Sequence, residues 1–217
     1  MSGPGTPTRL WLVRHGQSTW NAAGRIQGQS PRAGSLTPAG RDQAELAARQ
    51  LAGLAPDATV IVASDLARTA ETAAIIAGWL GLPLEFDPGL REQDLGTLEG
   101  TASVTSDGPA DGTADGPIDG PADGTGDVID QFWRDPYRRP PGGESVAAMY
   151  DRVHRTLRRL ATGRPGAELI VVTHGGPVRV ATAASLPPPG TPLLRTAVGN
   201  ASITPWPGSA HNEMVAP

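Results

Sequence analysis

Two histidines and two arginines are the side chains of this 217-residue chain best suited to covalent chemistry. Arg14-His15-Gly16 follows the apolar run Leu10-Trp11-Leu12-Val13. Arg68 follows a second run, Thr59-Val60-Ile61-Val62-Ala63, and His174 follows a third, Leu169-Ile170-Val171-Val172, with Gly175 and Gly176 behind it. An imidazole can attack phosphorus, and guanidinium groups can hold the oxygens on which charge develops. Phosphoryl transfer without a metal needs these and an acid for the leaving oxygen. A single histidine after a strand is more often a packing residue than a nucleophile. Two such histidines, each with glycine behind it and arginine available, are harder to explain that way. The other two histidines carry no such context: His154 lies in an Arg-rich helical stretch and reads as a solvated helix residue, and His211 reads as part of a tail without a role.

The elements that must position these groups alternate. Residues 10–13, 59–63 and 169–172 read as short buried strands, with further short strands at 84–86 and 201–204. Residues 37–54 read as a helix with Thr37 as N-cap and Pro38 in its first turn. A second helix runs from about Leu66 to Leu80, stopped by Gly81 and Pro83. In residues 144–161, Val146, Met149, Tyr150, Val153, Leu157 and Leu160 fall at helical spacing. A small-residue helix follows His174 to about Ser185. Strands alternating with helices predict an α/β three-layer sandwich with a mostly parallel sheet. Ligands of such sheets collect beyond the carboxyl ends of the strands, where Arg14-His15, Ser64-Asp65 and His174 all fall.

Composition narrows the chemistry. Cysteine is absent, which excludes disulfides, thiolate zinc sites and thiol nucleophiles. All 18 basic residues are arginine, which excludes Schiff-base lysines and the P-loop lysine and leaves phosphate to planar, bidentate donors. The net charge of −4 is unevenly spread: residues 101–130 hold seven Asp and no Arg, and the rest carries 15 acidic and 18 basic residues. That is too mild for nucleic-acid binding. No apolar run is long enough to span a membrane, and the small, polar start lacks the pattern of a secretory signal, so a cytoplasmic location is the default expectation. Residues 107–127 repeat Asp-Gly-Pro/Thr-X with period four. Such a segment has no hydrophobic face to offset the entropy of ordering and reads as a flexible surface insertion.

The motifs resemble those of the histidine phosphatase superfamily, the phosphoglycerate mutase-like proteins. The likeness runs through Leu12-Val-Arg-His-Gly-Gln-Ser-Thr-Trp-Asn21, Gly24-Arg-Ile-Gln-Gly28, Leu36-Thr-Pro-Ala-Gly-Arg-Asp-Gln-Ala44 and Ser64-Asp-Leu-Ala-Arg-Thr-Ala-Glu-Thr72. It continues through Leu90-Arg-Glu-Gln-Asp-Leu-Gly-Thr-Leu-Glu-Gly100, Gly142-Gly-Glu-Ser145, Val172-Thr-His-Gly-Gly176 and Gly199-Asn-Ala-Ser202. The resemblance implies His15 as the nucleophile that becomes phosphohistidine, with Arg14, Arg68 and His174 around the phosphoryl oxygens. It implies Glu92 as proton donor, with Glu99 as the competing carboxylate. Asn21 would add a neutral donor, the backbone of Gln17, Ser18 and Gly175 would lie against the substrate, and Gln27 and Gly28 would line the mouth. It implies no cofactor and no metal.

Two departures bear on specificity. The link from Gly28 to Leu36 is longer than is usual in the family, and the Asp-Gly repeat stands where relatives carry a helical lid. The expected plan is a flexible start over 1–8, one histidine phosphatase domain over 9–208 with an insertion at 105–127, and a tail over 209–217. The expected activity is hydrolysis of a small phosphorylated metabolite, without nucleic-acid or membrane partners. The alternatives are phosphoglycerate mutase-type transfer at the same site and a non-catalytic phosphate-binding relative. The sequence implies no oligomeric state.

Overall fold

The computed structural model describes residues 7–102 and 128–209. The repeat at 107–127, most of the expected flexible start, His211 and the tail beyond Ser209 lie outside the described residues.

Five strands form one sheet in the order β3-β2-β4-β1-β5. They are β1 (Arg9–Arg14), β2 (Ala58–Ala63), β3 (Leu84–Phe86), β4 (Glu168–Thr173) and β5 (Ile203–Pro205). β1, β2, β3 and β4 are parallel, and β5 joins the edge of β1 antiparallel, pairing Val13 with Ile203. The sandwich predicted from the alternation is therefore present, with one antiparallel edge strand.

The helices fall on two faces for a topological reason. α2 (Pro38–Leu54) and α3 (Ala67–Leu80) connect β1 to β2 and β2 to β3, moving one way across the sheet. α5 (Val146–Thr162) lies on the return from β3 to β4, so right-handed crossover puts it on the opposite face. Strand side chains alternate accordingly. Val13, Ile61, Ala63, Ile170 and Val172 pack with Ala47, Leu51, Ala73 and Ile76 of α2 and α3. Leu12, Val62, Leu169 and Val171 pack with Met149, Val153 and Leu157 of α5 and with Val178 and Val180 of α6 (Gly175–Thr182). Each such Val, Leu or Ile contributes about 1.5–3 kcal/mol on full burial.

The Thr37 cap and the Gly81 stop expected from sequence form, and Ser145 adds a cap that the sequence reading did not name. Thr37 Oγ1 accepts from Gly40 N at 3.0 Å with Pro38 at the first helical position, and Ser145 Oγ accepts from Ala148 N at 3.1 Å. Gly81 ends α3 in the left-handed conformation (φ +68°). A four-residue helix, α1 (Thr19–Ala22), and a five-residue one, α4 (Asp130–Arg134), complete the helices.

Two expectations need correction. His154 is not solvated: it is 9% exposed, its Nε2 lies 2.9 Å from Val180 O and its ring stacks on Tyr150. The apolar stripe of α5 is wide enough that this position faces α6, and the Arg-rich context of the sequence concealed it. Thr8 does not belong to a flexible start: it is buried, and its hydroxyl lies 2.9 Å from Ala161 O and 2.7 Å from Arg164 O at the end of α5.

Candidate active site

The carboxyl ends of β1, β2 and β4 place Arg14-His15, Ser64 and His174 along one edge. His15 N donates to Thr173 O at 2.9 Å and Ser64 N to Val172 O at 3.0 Å, so the chain stays in register as it leaves the sheet. Gly16 then turns against α2. A Cβ on Gly16 would stand 2.2 Å from Gly40 O, so only glycine fits this approach.

His15 is 3% exposed, with its Nδ1 2.7 Å from Gly16 O. Its Nε2 receives the Nε–H of Arg68 at 3.1 Å. A guanidinium only donates, so Nδ1 carries the proton and Nε2 presents its lone pair. Burial, then the charges of Arg68 and Arg14, hold the His15 imidazole well below its ordinary proton affinity. Arg68, in the first turn of α3, is 2% exposed and also donates from Nη2 to Gly28 O at 2.9 Å. Its burial lowers its pKa to about 10, with Glu92 and Glu99 opposing the shift, so it stays cationic at neutral pH.

His174 is the N-cap residue of α6 and is fully buried. Its Nε2 lies 2.9 Å from Ser64 Oγ, and its Nδ1 has no partner among the described residues. Its ring centroid is 5.2 Å from that of His15, edge on. Burial, Arg68 and His15 together hold it neutral. Ser64 Oγ also accepts from Leu66 N at 3.4 Å; with its own proton directed to His174 Nε2, the imidazole proton would stand on Nδ1.

Arg14 closes β1 and is tied into the segment before β5: its N donates to Ser202 O at 3.1 Å and its Nη1 to Val198 O. Ala201 in that segment, at φ +54° the single non-glycine residue with positive φ among those described, donates its N–H to His15 O at 3.2 Å. Gly175 is packed under two guanidiniums: a Cβ there would stand 2.9 Å from Arg179 Nη1 and 3.6 Å from Arg14 Nε.

Glu92 reaches the His174 side of the site. Its Oε2 accepts from Gly176 N at 3.2 Å and its Oε1 from Gln93 N at 2.8 Å. A Cβ on Gly176 would stand 2.1 Å from Glu92 Oε1, so glycine admits the carboxylate here. Glu99 sits elsewhere. Its Oε1 accepts from Gln29 N at 2.7 Å and Leu95 N at 3.2 Å, beneath Gly28, which takes φ +49°. Burial raises the Glu99 carboxyl, and those two N–H groups work against the rise.

The N–H groups of Gln17 and Ser18, whose backbone was expected near the substrate, bond within the protein. Gln17 N donates to Gln43 Oε1 at 2.8 Å, and Ser18 N donates to Asn21 Oδ1 at 3.0 Å in the capping box of α1. Ser18 is fully buried, and its Oγ also lies 2.8 Å from Gln27 Oε1. Asn21 spends Oδ1 on Ser18, leaving its amide Nδ2 as the donor.

The lengthened link after Gly28 forms one wall of a crevice of about 310 Å³. Gln29, Ser30 and Pro31 face Leu66 and Arg68 across it, and Arg91 and Asp65, joined at 2.6 and 2.5 Å, lie at its side. Sequence reasoning missed the parts played by Ser64, Thr72 (whose Oγ1 accepts from Gly16 N at 3.1 Å) and Arg152. Ser64 and Thr72 lay inside a quoted motif; Arg152 had no local signal.

Two neutral imidazoles, a buried guanidinium and a half-buried one, with a carboxylate beside them, form an arrangement suited to a tetrahedral oxyanion. Comparison with known proteins agrees. The chain matches the family described as "Histidine phosphatase superfamily (branch 1)" over residues 10–113 and 112–206. It is 35% identical over 175 residues to the "Probable phosphoglycerate mutase GpmB" of Salmonella paratyphi C, covering 77% of this chain and 69% of that protein. Among solved structures it resembles a mycobacterial glucosyl-3-phosphoglycerate phosphatase in complex with VO3, at TM-score 0.71 and 31% identity over 91% of this chain and 90% of that one. A protein of Thermus thermophilus, TTHB049, matches at TM-score 0.62 and 30% identity over 92% of this chain and 94% of that one. The chain belongs to the histidine phosphatase superfamily. No helix among the described residues is long and apolar enough to cross a membrane.

Proposed function

We propose that the protein is a phosphomonoester hydrolase that works through phosphohistidine on His15 and needs no metal or cofactor. The observation that carries this reading is the tautomer of His15: Nδ1–H is spent on Gly16 O, and Nε2 holds an unprotonated lone pair among arginines. In the first step Nε2 attacks phosphorus, the ester P–O bond breaks, and Glu92 delivers a proton to the leaving oxygen. Arg68 exchanges its bond to Nε2 for one to a phosphoryl oxygen, joined by Arg14 and the Nδ1–H of His174. In the second step Glu92 takes a proton from water as the water attacks phosphorus and the N–P bond breaks, returning neutral His15 and releasing inorganic phosphate. Glu92 is favoured over Glu99 as the acid because it reaches Gly176 beside His174, whereas Glu99 is bonded beneath the Gly28-Gln29 turn.

The substrate is proposed to be a small phosphorylated metabolite whose organic part is selected by the Gly28–Leu36 link. Hydrolysis of a panel of such esters in the presence of EDTA tests both claims; activity that vanishes with EDTA and returns with a divalent metal would overturn the metal-free reading. Mutase-type transfer is the second reading, favoured by the name of the Salmonella relative. Incubation with 3-phosphoglycerate, with and without a bisphosphate primer, separates them: primer-dependent isomerisation exceeding phosphate release would favour the mutase.

A further inference from the structure

We infer that Arg152, on α5, is the positioning residue for the carboxylate of Glu92. This rests on the reading of Glu92 as proton donor and extends it to a residue outside the phosphate pocket.

Glu92 stands on an irregular strap, residues 89–94, that has no strand or α-helix to hold it. One guanidinium supplies much of the missing order. Arg152 Nη1 donates to Gly89 O at 3.0 Å and Arg91 O at 2.9 Å, and Nη2 donates to Glu92 O at 3.2 Å. The other side of the fork meets Glu144, with Nε 3.3 Å from Oε2 and Nη2 bonded to Oε1. Glu144 in turn sews down the far end of the strap: Asp94 N donates to its Oε1 at 3.1 Å, its N donates to Asp94 O at 2.9 Å, and Gln93 Nε2 donates to its O at 2.9 Å.

Among the described residues Arg152 makes no hydrogen bond to the Glu92 carboxylate, so its hold on Glu92 runs through the backbone, while its charge also helps keep His174 neutral. The Arg152–Glu144 pair is about a fifth exposed (23% and 19%), and its forked contact fixes the guanidinium in place. Glu92 O has a second donor in Gln29 Nε2 at 2.9 Å, but among the described residues Gly89 O and Arg91 O are held by Arg152; a strap that lost those two bonds would turn to find other donors, and Glu92 would leave Gly176 with it. A planar fork reaches three carbonyls and a carboxylate at once; a lysine ammonium at this position cannot.

The test exploits what a general acid does. p-Nitrophenyl phosphate has a stable leaving oxygen that needs little proton assistance, whereas β-glycerophosphate needs it fully. Wild type, Glu92→Gln, Arg152→Lys, Arg152→Met and Glu144→Gln are compared on both esters, with thermal unfolding of each recorded. A general acid contributes about 10²–10⁴-fold, so a displaced one predicts a loss of roughly 10–100-fold in kcat on β-glycerophosphate for Arg152→Lys. The expected loss on p-nitrophenyl phosphate is under about 5-fold, with little change in KM and with Glu144→Gln falling between wild type and Arg152→Lys. Equal losses on the two esters in folded Arg152→Lys and Glu144→Gln, or no loss, would overturn the inference while leaving the acid intact. Equal losses in Glu92→Gln would remove Glu92 from its role and the inference with it, as would a wild-type protein inert toward both esters.

Discussion

Arg68 donates its Nε–H to His15 Nε2 across 3.1 Å, so the cation proposed to bind phosphate covers the nitrogen proposed to attack it. The same side chain lies 2% exposed, lowers the proton affinity of both His15 and His174, and holds Gly28 O through Nη2. One residue therefore sets the tautomer of His15, helps keep it neutral and holds the Gly28 turn.

Replacement of Arg68 is expected to be costly in a specific way. Arg68→Met should lower kcat on any substrate by about 10²–10³-fold, the loss typical of removing one charge-stabilising donor. Arg68→Lys should recover charge but not the fork, since Nε and Nη2 serve different acceptors. NMR titration of the histidines should show His15 and His174 taking up protons at higher pH in Arg68→Met than in wild type.

Stability should depend on pH through the same pair. Both imidazoles are held below their ordinary affinity, so between about pH 6.5 and the lower folded values the unfolded chain binds more protons than the folded one. Their contribution is fully present above about pH 6.5 and is lost as pH falls below it. Thermal unfolding from pH 8 down to pH 5 should show a falling Tm, and His174→Gln should flatten the fall. A Tm unchanged by either would contradict the buried neutral pair.

Two glycines predict opposite failures. A Cβ on Gly16 meets backbone, at 2.2 Å from Gly40 O, which cannot move without shifting α2; Gly16→Ala should destabilise by about 1–3 kcal/mol or more. A Cβ on Gly176 meets side chains and no backbone: the end of Glu92 at 2.1 Å and the flexible Met149 Sδ at 3.1 Å. Gly176→Ala should fold with little change in urea midpoint and lose turnover as Glu92 is displaced. Urea denaturation and kcat measured on both variants check the contrast.

Ala201 carries strain at φ +54° beside the His15 carbonyl. A left-handed conformation costs an L-residue about 1–2 kcal/mol, and the added freedom of an unfolded glycine returns about 0.5–1 kcal/mol of that. Ala201→Gly should therefore stabilise the protein by up to about 1 kcal/mol, and Ala201→Val should destabilise it. Equilibrium urea unfolding gives both numbers.

The reading of the sequence succeeded where the signal was local. Apolar runs marked β1, β2 and β4, Thr37 with Pro38 marked the start of α2, and the residues expected at the carboxyl ends of those strands come together at one edge of the sheet. It failed where a residue's partners lie far along the chain. Gln17 directly follows Arg14-His15-Gly16, yet its N–H is taken by Gln43, 26 residues further on. His154 looks like one more polar residue of an Arg-rich helix until α6 packs over it. Arg152 holds carbonyls 60, 61 and 63 residues away, a relation that no spacing within the sequence expresses. The Gly28–Leu36 link was recognisable as unusual, but the crevice it makes with α3 required the fold.

The central claim is a covalent phosphoryl group on His15 Nε2. Rapid quenching of the protein with a ³²P-labelled phosphomonoester, in EDTA and under alkaline conditions that preserve phosphohistidine, measures it directly. The account predicts an acid-labile label of about one phosphoryl per active chain, located at His15 by peptide mapping and absent from His15→Ala together with turnover. Label persisting in His15→Ala, or undiminished turnover without label, would contradict it.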